Sequence, residues 1–80
     1  MNATQPRTYG EAVGLEIRHL MVDANLTSAA LAAKSGVGVS TVGRILKGER
    51  DARVDNLIAI ATALGVRLSD LLTSAEDRLP

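Results

Sequence analysis

Between Gly38 and Gly48 the chain reads Val39-Ser40-Thr41-Val42-Gly43-Arg44-Ile45-Leu46-Lys47. On a helix of 3.6 residues per turn, Val39, Val42, Ile45 and Leu46 fall on one side, which is expected to face a core. Ser40, Arg44 and Lys47 fall opposite, in a stripe about 60° wide. Gly43 lies on the shoulder of that stripe and Thr41 flanks its other edge. The outward face therefore carries a small hydroxyl, a guanidinium and an ammonium, with no acid among them. An arginine can bond bidentately to guanine O6 and N7, and serine or threonine hydroxyls can donate to or accept from base edges. Small neighbours would let the helix backbone sit deep in a groove. Lys47, with Arg50 and Arg53 just beyond, has the charge to meet phosphates, which supply affinity and register but no sequence information. An ordinary solvated face with two surface cations has the same pattern, and spacing alone does not separate the two.

The rest of the composition excludes most other chemistry. The chain has 80 residues, no cysteine, one histidine and one aromatic residue, Tyr9. Without cysteine there is no disulfide framework and no thiolate metal site. His19 alone cannot build a multi-histidine site or a nucleophilic triad, so the serines and threonines read as caps and surface positions. The acids are scattered and suggest no metal cluster or carboxylate pair. No enzyme, metal or cofactor is expected. No apolar run approaches the roughly 18 residues of a membrane span, and the first residues carry no signal-peptide core. The expected location is intracellular, with no membrane partner. Net charge is zero, but the total hides a basic middle. Residues 34–53 hold Lys34, Arg44, Lys47, Arg50 and Arg53 against Glu49 and Asp51, while residues 1–33 and 54–80 are net acidic. Local sign matters more than the sum for steering an anionic partner.

An Ala-rich chain without Phe or Trp favours short, closely packed helices over strands. Residues 1–7 read as a disordered lead, residues 8–73 as one domain and residues 74–80 as a flexible tail. Thr8-Tyr9-Gly10-Glu11 matches a capping box. Val13, Ile17, Leu20, Met21 and Ala24 then follow along one helical face until Asn25. Thr27 caps a second helix, Ser28 to Ser35, closed by Gly36. A third runs from about Val39 to Lys47. Asp55 is predicted to cap a fourth, Asn56 to Leu64, and Ser69 a short fifth around Asp70–Thr73. The fold is predicted to be all-α, and the tight Gly-containing link between helices two and three implies a helix-turn-helix. Leu68, Leu71 and Leu72 either complete the core or form a dimer seam.

From Ile17 to Leu72 the order of residues resembles the lambda-repressor-like, or Cro/phage-repressor-type, helix-turn-helix family. The matching stretches are IRHL, NLTSAALAAKSGVGVSTVGRILKGE and NLIAIATALGVRLSDLL. They include the Leu31-Ala32 pair, Gly36 with Val37 in the turn, the spaced Val42 and Ile45, Gly48, and the run from Ile60 to Val66. The resemblance implies a compact five-helix domain that binds operator DNA, with helix three in the major groove and helix two across the backbone. By position it assigns base reading to Val39, Ser40 and Arg44, with Thr41 beside them. Phosphate contacts fall to Ser28 and Lys47, and to Arg50 and Arg53 in the following loop. Val39 replaces a commonly polar residue, and Met21 stands where many members carry a phosphate-binding arginine. The implied function is sequence-specific regulation of transcription by a small phage- or prophage-type repressor. Its partner would be a double-stranded operator bound by a homodimer, repression would come from promoter occlusion, and no small-molecule effector is expected. An antitoxin or other protein-binding module, or a restriction–modification controller, is compatible with the same residues.

Overall fold

Thr8 opens the first helix by the reciprocal arrangement its sequence spells out. Its hydroxyl accepts the Glu11 N–H at 3.1 Å, and Glu11 Oε1 accepts the N–H groups of Thr8 at 3.3 Å and Arg7 at 2.8 Å. Three N–H groups at the helix start, those of Arg7, Thr8 and Glu11, are thereby satisfied. The structure is a computed structural model that describes residues 5–80. Five helices follow in chain order: α1 (Tyr9–Ala24), α2 (Ser28–Ser35), α3 (Val39–Leu46), α4 (Val54–Ala63) and α5 (Leu68–Asp77). No strand occurs among the described residues, and the domain is all-α as predicted. Asn25 stops α1 in the left-handed region at φ 57°. Thr27 caps α2 through the Ala30 N–H at 3.1 Å, and Gly36 closes it.

The later helices depart from the sequence expectation. Helix α3 ends at Leu46, with Lys47 in the capping position. Helix α4 starts at Val54, so Asp55 lies inside its first turn and does not cap it; its charge there complements the N-terminal dipole. Helix α5 starts at Leu68 and continues to Asp77, well past the short segment expected. Tertiary packing explains the extension. Ala75 is fully buried and Leu79 packs against the core. Beyond the helix end, Arg78 Nε donates to Glu16 Oε1 at 3.0 Å. Glu16 is a buried acid on α1, and a buried polar group left without a partner is costly. The segment expected to be a flexible tail is thus anchored to α1. The expected disorder of the lead concerns residues 1–4, which lie outside the described residues, and residues 5–7, of which Pro6 is buried.

The core is aliphatic throughout. Ile17, Leu31, Val42, Ile45, Ile60 and Leu71 are its largest fully buried side chains, and every helix contributes at least one. Helix α1 packs on α3 and α5, α2 packs on α3 and α4, and α4 packs on α5. Tyr9 ties α1 to α5 by donating its hydroxyl to the Leu72 carbonyl at 3.4 Å. Partial burial, and then the Glu76 carboxylate, hold its phenol above the ordinary tyrosine range.

Two glycines on α1 set how closely α3 can approach. A Cβ at Gly14 would stand 2.8 Å from the carbonyl oxygens of both Ile45 and Leu46, and one at Gly10 would stand 2.8 Å from that of Gly48. The carboxyl end of α3 therefore rests directly on the bare backbone of α1. Arg18 reinforces the seat by donating from Nε to the Leu46 carbonyl at 3.3 Å. Among the described residues, no single helix is long and apolar enough to cross a membrane.

Candidate nucleic-acid interface

Burial fixes the rotation of α3. Val42, Ile45 and Leu46 face inward at 0%, 2% and 7% exposure, whereas Ser40, Arg44 and Lys47 are exposed. Val39 departs from its wheel position: it is 57% exposed, because it opens the helix at an end the core does not reach. Val39, Ser40 and Arg44 consequently share the accessible surface of α3, with Thr41 half-buried beside them.

Gly43 lies next to Arg44 on this helix. A Cβ added there would meet nothing within 4 Å, so no contact within the chain requires a glycine. An interior helical glycine costs roughly 1 kcal/mol relative to alanine. Gly43→Ala is therefore expected to stabilise the domain by about 0.5–1 kcal/mol, read as a rise of a few degrees in Tm by circular dichroism.

Arg44 is held by two neighbours. Its Nη2 donates to Thr41 Oγ1 at 3.2 Å, and its Nε stands 3.6 Å from Glu49 Oε2. In the sequence Glu49 counts only against the basic charge of residues 34–53; its pairing with Arg44 depends on the turn at Gly48. Glu49 also borders an apolar cleft of about 230 Å³ that opens between Tyr9, Val13, Leu57 and Leu72.

The other expected contact residues are spread around this centre. Lys47 and Arg50 are exposed and form no ion pair among the described residues. Arg53 stands 3.9 Å from Asp55, with both side chains mostly in solvent, a pairing worth little in water. Ser28 is half-buried at the start of α2, the helix that packs on α3. Leu71 is 1% exposed; it belongs to the core and is unavailable for a dimer seam. Leu68 and Leu72 pack against the same core and are partly exposed. Among the described residues, the large apolar side chains left exposed are Val54 and Ile58, spaced i, i+4 on α4, together with Tyr9, Val22 and Val39. No group of histidine and acidic residues among those described is arranged to hold a metal ion.

Helices α2 and α3, joined through Gly36-Val37-Gly38 with the polar side of α3 outward, define a helix-turn-helix unit. The helix-turn-helix family matches the chain over residues 17–71, which spans all of α2, α3 and α4. The chain belongs to the lambda-repressor/Cro-like branch of that family, a family of DNA-binding regulators. No curated protein and no solved structure gives a significant match.

Proposed function

We propose that this chain is a sequence-specific regulator of transcription, of the small Cro or phage-repressor type, which binds a double-stranded operator and represses by occluding a promoter. The orientation of α3 carries the reading: aliphatic residues inward, and Ser40 and Arg44 outward with Val39 and Thr41 beside them. In this reading those four residues face base edges in the major groove. Ser28, Lys47, Arg50 and Arg53 meet phosphates on either side. One such helix reads few base pairs, and each mismatch is worth about 1–3 kcal/mol, so genomic selectivity calls for two half-sites and a homodimer. The apolar side chains available to a seam are Val54 and Ile58, with the exposed parts of Leu68 and Leu72. The protein acts where chromosomal DNA lies, in the bacterial cytoplasm. A toxin-binding role for residues 73–80 is disfavoured, because Ala75 and Arg78 are engaged with the body of the domain.

Selection of duplexes from a randomised library tests this reading. The expected product is a set of palindromic sites whose half-sites lie about one turn, roughly 34–36 Å, apart. Each half-site should contain a guanine within reach of Arg44, and log affinity should fall linearly with log salt. A library that emerges without enrichment, or affinity indifferent to salt, contradicts it.

A further inference from the structure

The end of α3 closes through Gly48. With φ at +99°, this residue occupies backbone space that favours glycine, and a Cβ there would meet the Glu11 side chain at 2.8 Å. The Gly48 N–H bonds to the Ile45 carbonyl at 3.0 Å, and the Glu49 N–H to the Arg44 carbonyl at 3.1 Å. This paired closure carries the chain back over the helix end, so that the residue after the glycine lies beside the one whose carbonyl it bonds. The side-chain contact made there is ordinarily apolar. Here it is ionic, Glu49 Oε2 to Arg44 Nε at 3.6 Å, while Thr41 Oγ1 accepts from Nη2 of the same guanidinium.

A guanidinium has five N–H donors in a rigid plane. Its Nε–H and one Nη2–H form a side-facing pair, and the outermost hydrogens of Nη1 and Nη2 form a second pair at the tip. Glu49 stands against the Nε corner as an ion partner at 3.6 Å and Thr41 accepts one Nη2–H at 3.2 Å, while Nη1 has no partner among the described residues. We propose that Glu49 is a positioning residue for Arg44: it holds the side edge of the guanidinium so that the tip is presented to the operator. This rests on the reading of α3 as a groove reader and adds a specificity-determining residue outside that helix.

The pairing acts on discrimination more than on affinity. At the right base, a fork already oriented loses less freedom on forming its two hydrogen bonds. On an arbitrary duplex the contacts are mainly to phosphates, where the Glu49 carboxylate only repels. Removing its charge raises affinity for every duplex alike, so the ratio of specific to non-specific affinity isolates the positioning effect. An exposed ion pair of this kind corresponds to about a two- to five-fold effect.

The test compares the full chain with Glu49→Gln, which keeps size and shape, and with both proteins in an Arg44→Ala background. The probes are the duplex enriched from a random library by the unaltered protein and a scrambled duplex of equal length and composition. The expected result is a two- to five-fold fall in the ratio for Glu49→Gln, and no change for the same substitution when Arg44 is absent. In the free protein, the Arg44 Nε–H resonance should shift and exchange faster with water in Glu49→Gln. An unchanged or increased ratio, an equal fall in both backgrounds, or an unmoved Nε–H resonance overturns the proposal. If the unaltered protein enriches no sequence, the groove-reading function fails first and takes this role with it.

Discussion

Replacing Arg44 by alanine is expected to cut affinity for the selected duplex by roughly 5- to 150-fold, the equivalent of about 1–3 kcal/mol for a bidentate arginine–guanine pair. Affinity for a scrambled duplex should change far less, because only one of several cations is lost. Stability should stay within about 0.5 kcal/mol, since Arg44 lies on the surface and its partners there, Thr41 and Glu49, remain solvated. Competition binding against the two duplexes, alongside thermal melts, separates these effects. Lys47→Ala provides the contrast. As a phosphate contact it should weaken both duplexes similarly and reduce the salt slope by about one. Equal losses on both duplexes for Arg44→Ala would demote that residue to a non-specific cation.

The largest stability effect is expected at Gly14. Alanine there gains the same helix propensity, about 1 kcal/mol, as alanine at Gly43, yet the two substitutions should move the melting temperature in opposite directions. At Gly43 the new methyl enters open space. At Gly14 it would stand 2.8 Å from two backbone carbonyl oxygens, and these cannot swing aside as a flexible side chain would. Overpacking of this kind costs about 1–3 kcal/mol, enough to outweigh the propensity gain. Gly14→Ala should therefore lower Tm by several degrees in a domain of this size, as measured by circular dichroism at 222 nm. A rise would show that α1 and α3 can separate slightly without penalty.

The comparison of sequence with structure turns on which features are local. Thr8 with Glu11, and Thr27 with Gly36, satisfy their own backbone partners within a few residues, so α1 and α2 begin and α2 ends where their sequences say. The outward turn of Arg44 was legible because Val42, Ile45 and Leu46 together leave only one rotation of α3 that buries them. Val39 was not placed by the same wheel, because a wheel does not show where the core ends along a helix axis. The extension of α5 depends on Glu16, which lies far away in the chain and draws Arg78 inward. Even so, Leu68, Leu71, Leu72, Ala75 and Leu79 continue a helical spacing through the acidic residues that made the segment look frayed. The glycines at positions 10 and 14 have no local signature of close approach; their meaning appears only when the end of another helix is set against them. The Glu49–Arg44 pair is intermediate, since Gly48 announces a turn but not which side chains it brings together.

Tyr9 has a practical consequence for anyone who follows this protein by light. It is the only aromatic side chain in the chain, and its hydroxyl is bonded across to α5. Intrinsic fluorescence and near-ultraviolet absorbance therefore witness one junction, the docking of the first helix on the last. An unfolding curve from tyrosine emission will track that junction and the adjoining cleft, which Ile45 of α3 also lines. A loosening confined to the amino end of α3, away from that cleft, would pass unseen unless a chromophore were placed there.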